Sequence, residues 1–553
     1  MYYKVSYENP HRHFIKVTQK ISITNDNPIV LQLPSWRPGR YELGNFAKNI
    51  RDFRVSNEEN RPVNFIKISK DSWRIESKNS KEIEVEYLYY ANELNAGSTY
   101  LDEHQLYVNP INCCCYVVGR EMEPGTLEIK VPENYQIAVA LPAISKNSFS
   151  ISNFDELVES PFIASPTLTK WTYQVEDYNF YIWFQGLVTG NEEKVVKDFE
   201  KFTRHQIQAF KSLPTKEYHF LYQLSPFKSY HGVEHTASTV ITLGPDKEVF
   251  QDKLYEEFIG VSSHELYHAW NIKALRPASM KPYAYAKENY SKLGYIYEGL
   301  TTYMGDLCLW ESGVYTNRHF QHSFEVWLEK HFYNSGRKHY SIAASSYDTW
   351  LDGYVLGIPG RKVSIYQDGA LCMFMIDCII RERSDNTNSL QDIMTEMYSS
   401  KDIRENGYSE AYIMDIFVKY GGIEVKEIFD KHIYGTEDYL HNLKKAFKRQ
   451  GWQLDILDNT NSLEAQLGVQ IISKEGSAYI YRVEIDSIAD KNGIAVGDFI
   501  EELNGDKIDF NKPDMLEGIQ QFDLKIKRKF DRLELKLTNQ EKLYFPKFKV
   551  TIP

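Results

Sequence analysis

Hydrophobic and polar residues alternate along roughly the first 165 residues of the chain. Segments such as FIKVTQKISIT, EIEVEYLYY and GTLEIKVP carry the alternation and are separated by Pro, Asn and Gly turns. A period of two is typical of strands with one buried face. The pattern predicts an N-terminal β-sandwich domain over 1–165. Within it, LPSWRPGRYELGNFAKNI breaks the alternation and predicts an ordered loop at a domain contact, with a structural and a substrate-lining role both open.

The hydrophobic period becomes helical at about residue 190. In EEKVVKDFEKFTRHQIQAFKSL, one stripe contains Val195, Phe199, Phe202, Ile207 and Phe210, which is the spacing of an amphipathic helix. Two strand-like segments, HFLYQLSP and STVITLGP, follow, and helical patterns then run from about 247 to 450. We therefore expect an α-rich domain with a small sheet over 166–458.

The last ninety residues return to short strands and turns, in LGVQIISKEGSAYIYRVEIDSIADKNGIAVGDFIEELNGDKI. From Ser487 to Gly505 this segment resembles the signature of a PDZ domain. The resemblance implies a PDZ domain over 459–553 that binds the C-terminus of a peptide by strand addition. It also implies a carboxylate loop at Leu467, Gly468 and Val469. The whole chain is thus predicted to be a multidomain α+β protein.

Composition narrows the class of protein. A chain of 553 residues is too long to fold around a single hydrophobic core, so several domains are expected. A net charge of −12 disfavours a surface that binds nucleic acid. Six cysteines, three of them adjacent in INCCCYVV, do not form a disulfide framework, and that segment predicts a buried strand. Without a visible signal peptide or membrane span, we expect a cytoplasmic protein, or a periplasmic one if the sequence is trimmed.

Two histidines four residues apart give the clearest chemical signal. In VSSHELYHAW, His264 and His268 would share one helix face, with Glu265 directed at the same ion. With 15 histidines in the chain, an H-E-x-x-H match is expected by chance about 0.03 times. The motif therefore predicts a zinc peptidase site in which Glu265 accepts a proton from water.

Catalytic zinc generally takes three protein ligands. The metzincin continuation is excluded because Asn271 and Ala274 occupy its Gly and His positions. YIYEGLTTYMGDL instead resembles the gluzincin segment that supplies a glutamate, which implies Glu298 as the third ligand of one zinc ion. Thr302 would either orient a ligand or pack between helices.

Two further positions take their roles from gluzincin aminopeptidases. YHGVEHTAST resembles the edge strand of their active site, which implies that Glu234 binds the α-ammonium group of the substrate and that the backbone beside Gly232 pairs with the peptide. SIYQDGA resembles the segment that contains their oxyanion-stabilising tyrosine. It implies this role for Tyr366, with Asp368 where lysine is usual.

Together with HELYHAWNIKALRP and the PDZ-like segment, these motifs resemble the glycyl aminopeptidase family of zinc metallopeptidases over essentially the whole chain. The resemblance implies a thermolysin-like catalytic domain over 166–458. It also implies an aminopeptidase that releases small N-terminal residues, Gly or Ala, from peptides by attack of a zinc-bound water. His231 stands where the family commonly has glycine, which leaves the size of the pocket for the first substrate side chain open.

Two other functions fit the same residues. A PDZ-guided zinc endopeptidase would cut longer chains captured by their C-termini, and N-terminally blocked peptides separate it from an aminopeptidase. A non-catalytic PDZ scaffold would hold a structural ion. Glu265 beside a three-ligand set disfavours the scaffold, because a structural site has no use for a base at an open position.

Overall fold

The structure is a computed structural model that describes residues 1–354, 358–474 and 476–553, apart from the side chain of residue 352. The N-terminal part contains helix α1 (Phe154–Val158) and strands β1 (Tyr2–Tyr7), β2 (Phe14–Ser22), β3 (Ile29–Gln32), β4 (Ile50–Asn57), β5 (Phe65–Ser69), β6 (Ser72–Ile75), β7 (Glu82–Tyr90), β8 (Tyr100–Leu101), β9 (Leu106–Val108), β10 (Tyr116–Val117), β11 (Gly125–Ile129), β12 (Gln136–Val139), β13 (Ala143–Ser145), β14 (Ser148–Ile151) and β15 (Phe162–Ser165).

The N-terminal strands form three sheets. The largest has the order β13-β14-β11-β1-β2-β7-β4, and the others have the orders β10-β3-β6-β5 and β12-β15-β9-β8. Phe53 of β4 stacks on Trp73 of β6 with ring centroids 4.6 Å apart, so the first two sheets pack face to face. The predicted β-rich N-terminal domain is confirmed, and the third sheet adds to the sandwich that the alternation indicates.

The cysteine run differs from its prediction. Cys113, Cys114 and Cys115 are buried, but they follow a 3-10 turn that starts at Pro110, and only Tyr116–Val117 after them pair as a strand. Proline lacks the N–H group that a strand ladder requires, which favours a turn here. All six cysteines are buried free thiols.

The central part contains a five-stranded sheet and most of the helices. Its elements are β16 (Thr169–Val175), β17 (Tyr178–Gln185), β18 (Glu217–Leu224), β19 (Ser229–Glu234), β20 (Ser238–Gly244), α2 (Glu192–Phe210), α3 (Asp252–Tyr267), α4 (Thr301–Glu311), α5 (Asn317–Tyr333), α6 (Ile342–Tyr347), α7 (Thr349–Asp352), α8 (Gln367–Arg383), α9 (Leu390–Ser399), α10 (Lys401–Asn406), α11 (Glu410–Ile428) and α12 (Leu440–Arg449). These helices confirm the prediction that the central part is α-rich.

The order of the central sheet is β16-β17-β18-β20-β19, so β19 lies at an edge and pairs antiparallel with β20. The stripe that the sequence predicts on α2 is buried, from Val195 to Phe210. Helix α3 contacts β19 and β20, and helix α4 packs on α3. The edge strand and two helices therefore meet at one place.

The C-terminal part has a hydrophobic core of its own. It contains β21 (Gln453–Leu457), β22 (Val469–Lys474), β23 (Ser477–Val483), β24 (Phe499–Leu503), β25 (Gln521–Arg528), β26 (Asp531–Thr538), β27 (Lys547–Thr551) and α13 (Ile488–Lys491). Strands β22 to β26 form one antiparallel sheet in chain order, and its core includes Leu467, Ile480 and Leu524. The ribbon β21–β27 returns to the central part, where Phe548 stacks on Phe332 with centroids 4.9 Å apart.

No helix among the described residues is long and apolar enough to cross a bilayer.

Candidate zinc centre and active site

Three predicted ligands come from two packed helical segments. His264 lies in the last turn of α3 and His268 follows directly after its end, whereas Glu298 lies in a π-helical turn, Tyr295–Leu300, that leads into α4. The two imidazoles project from one face because they are four residues apart. Packing of α4 on α3 brings the carboxylate of Glu298 to the same face.

The ligating atoms of these residues converge. Nε2 of His264 lies 3.0 Å from Nε2 of His268, and Oε2 of Glu298 lies 3.7 Å from the first nitrogen and 3.4 Å from the second. Two imidazole nitrogens and one carboxylate oxygen are the donor set that catalytic zinc takes. The residues therefore fit a zinc ion with a coordination position left for substrate or water.

Asn271 fixes the orientation of this set. Nδ1 of His268 donates to the carbonyl oxygen of Asn271 at 2.9 Å, so Nε2 carries the lone pair that faces Glu298. Nδ2 of Asn271 donates to the carbonyl of Ile296 at 2.7 Å and to Oγ1 of Thr301 at 2.9 Å. The turn after α3 is thereby tied to the segment that carries Glu298.

In the sequence, Asn271 stands out only because it does not match the metzincin motif. Its position three residues after His268 is the one feature that could have indicated a contact with that ligand. Thr302, which the sequence offered as a candidate for orienting a ligand, donates instead to the backbone carbonyl of Glu298 at 2.9 Å. This bond is local to its own helical segment, and both interpretations of Thr302 stay predictions.

Glu265 lies against the edge strand. A Cβ atom on Gly232 of β19 would lie 2.1 Å from Oε1 of Glu265, so a larger residue at this position would displace the carboxylate. Burial raises the pKa of Glu265, with His268 opposing the shift and Glu234 adding to it. Its Oε2 is buried without a hydrogen-bond partner among the described residues, which suits a group that receives a proton from a reactant.

Glu234 provides a second carboxylate at the same place. Oxygen atoms of Glu234 and Glu265 and a ring nitrogen of His268 all lie within 4.8 Å of one another. Oε1 of Glu234 is also buried without a partner among the described residues. On its other side, a Cβ atom on Gly39, whose φ is +79°, would lie 2.5 Å from Oε2 of Glu234. The N-terminal part therefore closes the site behind Glu234.

Tyr366 precedes α8 and faces the histidines. Its ring centroid lies 6.4 Å from that of His264. Burial, and next the charge of Glu298, raise the pKa of the Tyr366 phenol well above its ordinary value, so the hydroxyl keeps its proton. Asp368, two residues later, is buried and bonds to Nδ1 of His331 at 2.6 Å and to the backbone N–H of Ser364 at 3.1 Å. It holds the turn that presents Tyr366.

Two family models match this chain, and the second covers the proposed zinc ligands. The model of the peptidase M61 N-terminal domain matches residues 2–166, and the model of the M61 glycyl aminopeptidase matches residues 257–372. The chain belongs to the M61 glycyl aminopeptidase family. It is a zinc metallopeptidase.

Two solved structures resemble this M61 peptidase. An aminopeptidase N family protein from Idiomarina loihiensis has a TM-score of 0.92 at 23% identity, over 100% of this chain and 98% of that chain. A mutant M1 zinc metallopeptidase from Deinococcus radiodurans has a TM-score of 0.50 at 13% identity, over 79% of this chain and 94% of that chain. These likenesses concern the fold alone. No curated protein matches the chain.

The loop at residues 35–41 of the M61 peptidase forms a domain contact and also reaches the site. Nε1 of Trp36 donates to the carbonyl of Ala284 at 2.9 Å. The ring of Tyr41 packs 5.1 Å from that of Tyr297, beside Glu298. These contacts show the domain-contact role of the loop, and its substrate-lining role stays a prediction.

His231 faces the N-terminal part. Its Nε2 lies 3.3 Å from Nη2 of Arg37, and burial, followed by the charges of Arg37 and Arg40, lowers the pKa of His231 to about 3. The neutral imidazole therefore accepts a hydrogen bond from Arg37, and the pair borders the edge strand next to Gly232.

The residues predicted as a carboxylate loop are not part of this cluster. Leu467 and Val469 are buried in the separate C-terminal core. The N–H of Gly468 donates to the carbonyl of Glu464 at 3.0 Å, and its carbonyl accepts from the N–H of Glu484 at 2.9 Å. Both polar groups of Gly468 are therefore engaged within the C-terminal part.

Proposed function

We propose that this M61 peptidase is a zinc-dependent aminopeptidase that releases small N-terminal residues, Gly or Ala, from peptides. The observation that carries the proposal is the position of two buried carboxylates, Glu265 and Glu234, beside a three-ligand set at an edge strand. One carboxylate would serve the chemistry, and the other would recognise a charged chain end. The preference for small residues follows from the glycyl aminopeptidase family.

In this proposal His264, His268 and Glu298 hold one zinc ion per chain. Bound zinc would polarise the scissile carbonyl and lower the pKa of a water molecule toward ~7. Proton transfer, stabilisation of the developing negative charge and substrate binding are then carried out by side chains of this chain.

Glu265 accepts the proton of the attacking water and then delivers it to the nitrogen of the leaving amine. Its unpartnered Oε2 and its raised pKa support this role, because a carboxylate with a raised pKa is a stronger base. Tyr366 donates its hydroxyl proton in a hydrogen bond to the oxygen on which negative charge develops. Its raised pKa keeps that donor available.

Glu234 supplies the reason to expect cleavage at an N-terminus. Two buried carboxylates so close together favour a cation between them, and the α-ammonium group of a peptide would provide one. The backbone beside Gly232 would pair with the substrate as an added strand. This arrangement would bring the first peptide bond, rather than an internal one, to the three proposed zinc ligands.

The domain organisation is part of the proposal, with a β-sandwich over 1–165, a thermolysin-like catalytic domain over 166–458 and a PDZ domain over 459–553. Support for the last comes from the antiparallel sheet with its own core and from the position of β22 at the edge of that sheet. The C-terminus of a peptide would add to β22 as a further strand, near Gly468.

The test uses Gly-, Ala-, Leu- and N-acetyl-Ala-anilide with zinc-loaded protein, and Glu265→Gln as the blank. We expect cleavage of the Gly and Ala compounds, none of the acetylated one, and retention of zinc by Glu265→Gln with loss of activity. Cleavage of the acetylated compound or of internal peptide bonds would instead identify an endopeptidase. Activity of Glu265→Gln near that of the wild type would exclude the proposed mechanism.

A further inference from the structure

A cavity of about 660 Å³ lies between the central part and the C-terminal sheet. Its walls come from α5 and residues 358–367 on one side and from the end of β23 on the other. Tyr366 and Gln367 belong to this wall, so the cavity begins at the proposed active site. Its volume lies in the range of ligand sites.

The wall is positively charged in a chain whose net charge is −12. It contains Lys330, Lys362, Arg482 and Arg361, of which Arg361 pairs with Asp348 at 2.8 Å, and one acidic residue, Glu484. Nη1 of Arg482 donates to the neutral amide oxygen of Gln470 at 2.9 Å, a contact that leaves the charge of the guanidinium uncancelled. A positive wall inside an acidic protein favours an anionic occupant.

The position of the cavity indicates which part of a substrate would reach it. Behind Glu234 the site is closed by the loop that contains Gly39. A peptide anchored by its ammonium group at Glu234 must therefore extend past the zinc ligands, away from the N-terminal part. Tyr366 borders both the zinc ligands and the cavity.

We propose that this cavity binds the downstream residues of peptide substrates and selects those that carry carboxylates, as acidic side chains or as a free C-terminus. The inference rests on the proposed aminopeptidase function and names its substrate class as oligopeptides of several residues with an acidic C-terminal end. Charge-assisted contacts from Arg482 and Lys330 provide the selection.

The test compares two pentapeptides, Ala-Gly-Gly-Asp-Asp with a free carboxylate and Ala-Gly-Gly-Asn-Asn with an amidated end, alongside Ala-anilide. Release of the first Ala by the full-length zinc enzyme should show kcat/KM about tenfold higher for the acidic peptide, the size of one charge-assisted contact. The preference should shrink between 0.05 and 0.5 M salt, as expected for about one screened ion pair.

Variants locate the preference. Arg482→Gln and Lys330→Gln should each reduce the ratio of the two kcat/KM values, whereas Arg532→Gln, on β26 and paired with Glu501 at 2.9 Å, should leave it unchanged. Direct binding of both pentapeptides to zinc-loaded Glu265→Gln by calorimetry gives the same comparison without turnover.

The outcomes separate the two proposals. Cleavage of Ala-anilide with equal kcat/KM and equal binding for the two pentapeptides would overturn the cavity inference alone. A preference that survives in both Arg482→Gln and Lys330→Gln would also overturn it. Absence of Glu265-dependent cleavage, with selective binding of the acidic peptide that depends on Arg482, would sink the aminopeptidase and keep the cavity as an acidic-peptide site.

Discussion

Nδ1 of His268 donates to the backbone carbonyl of Asn271 across 2.9 Å, and this bond sets which nitrogen of His268 faces Glu298. The side chain of Asn271 is completely buried and bonds to the segment that contains Glu298. One residue thus links two of the three proposed ligands, although it touches neither ligating atom.

Replacing Asn271 by Ala should weaken zinc binding. Without the amide, the carbonyl that accepts from His268 and the turn that carries Glu298 lose their connection, and loss of such outer contacts costs about 10- to 100-fold in metal affinity. Competition with a fluorescent chelator measures the dissociation constant. Thr302→Val is the matched control, because it removes a hydroxyl that bonds only within its own helix. Equal weakening in both variants would contradict the role of Asn271.

Gly232→Ala should slow catalysis with little loss of fold. The added methyl group would lie 2.1 Å from Oε1 of Glu265, so the carboxylate must shift, and a shift of this size costs about 100-fold in rate. Kinetics on Ala-anilide and the thermal melting temperature of each variant check this. Ser229→Ala, on the same strand, should behave as the wild type. Wild-type kcat in Gly232→Ala would show that Glu265 does not act from the position seen here.

The composition of the chain and two periodicities predicted much of the fold. The alternation to residue 165 and the stripe from Val195 to Phe210 lead directly to sheets and to α2, because burial of one face dictates the pattern. The five-stranded central sheet was harder to predict from the sequence, because β16 and β17 continue the alternating pattern of the N-terminal domain and do not stand out from it. The third N-terminal sheet uses strands of two to four residues, too short to show a period.

For the site, the sequence predicted His264, His268 and Glu298 as ligands, and their ligating atoms do lie together. The contacts between residues that are far apart in the chain could not be predicted from it. Nothing local to Gly39 indicates a carboxylate 195 residues later in the chain, and nothing around Asp368 indicates a buried histidine on α5. Such pairings depend on how domains and helices dock, which no local pattern encodes.

Glu234→Gln should remove the advantage of a free N-terminus. The neutral amide no longer attracts an ammonium group, so KM for Ala-anilide should rise about 10- to 100-fold, the cost of losing a buried charged contact. The ratio of activity on Ala-anilide to activity on N-acetyl-Ala-anilide is the relevant measurement. An unchanged ratio would mean that Glu234 does not bind the chain end, whatever the loss in total rate.

His235 makes stability sensitive to acid. Its imidazole is buried, neither ring nitrogen has a hydrogen bond among the described residues, and burial lowers its pKa to about 3, with Glu159 opposing the shift. The pKa of histidine in an unfolded chain is about 6.5. Between these values the unfolded state binds a proton that the folded state does not, so stability present above pH 6.5 is lost as the pH falls.

His235→Asn should therefore flatten the dependence of stability on pH. The slope of the unfolding free energy between pH 6.5 and 3 should fall by up to about 1.4 kcal/mol per pH unit, because one proton no longer distinguishes the two states. Urea unfolding at pH 7, 6, 5 and 4 measures the slope, with His104→Asn, at an exposed position of the N-terminal part, as control. If His235→Asn and the wild type lose stability in parallel down to pH 4, the imidazole is already protonated in the folded protein.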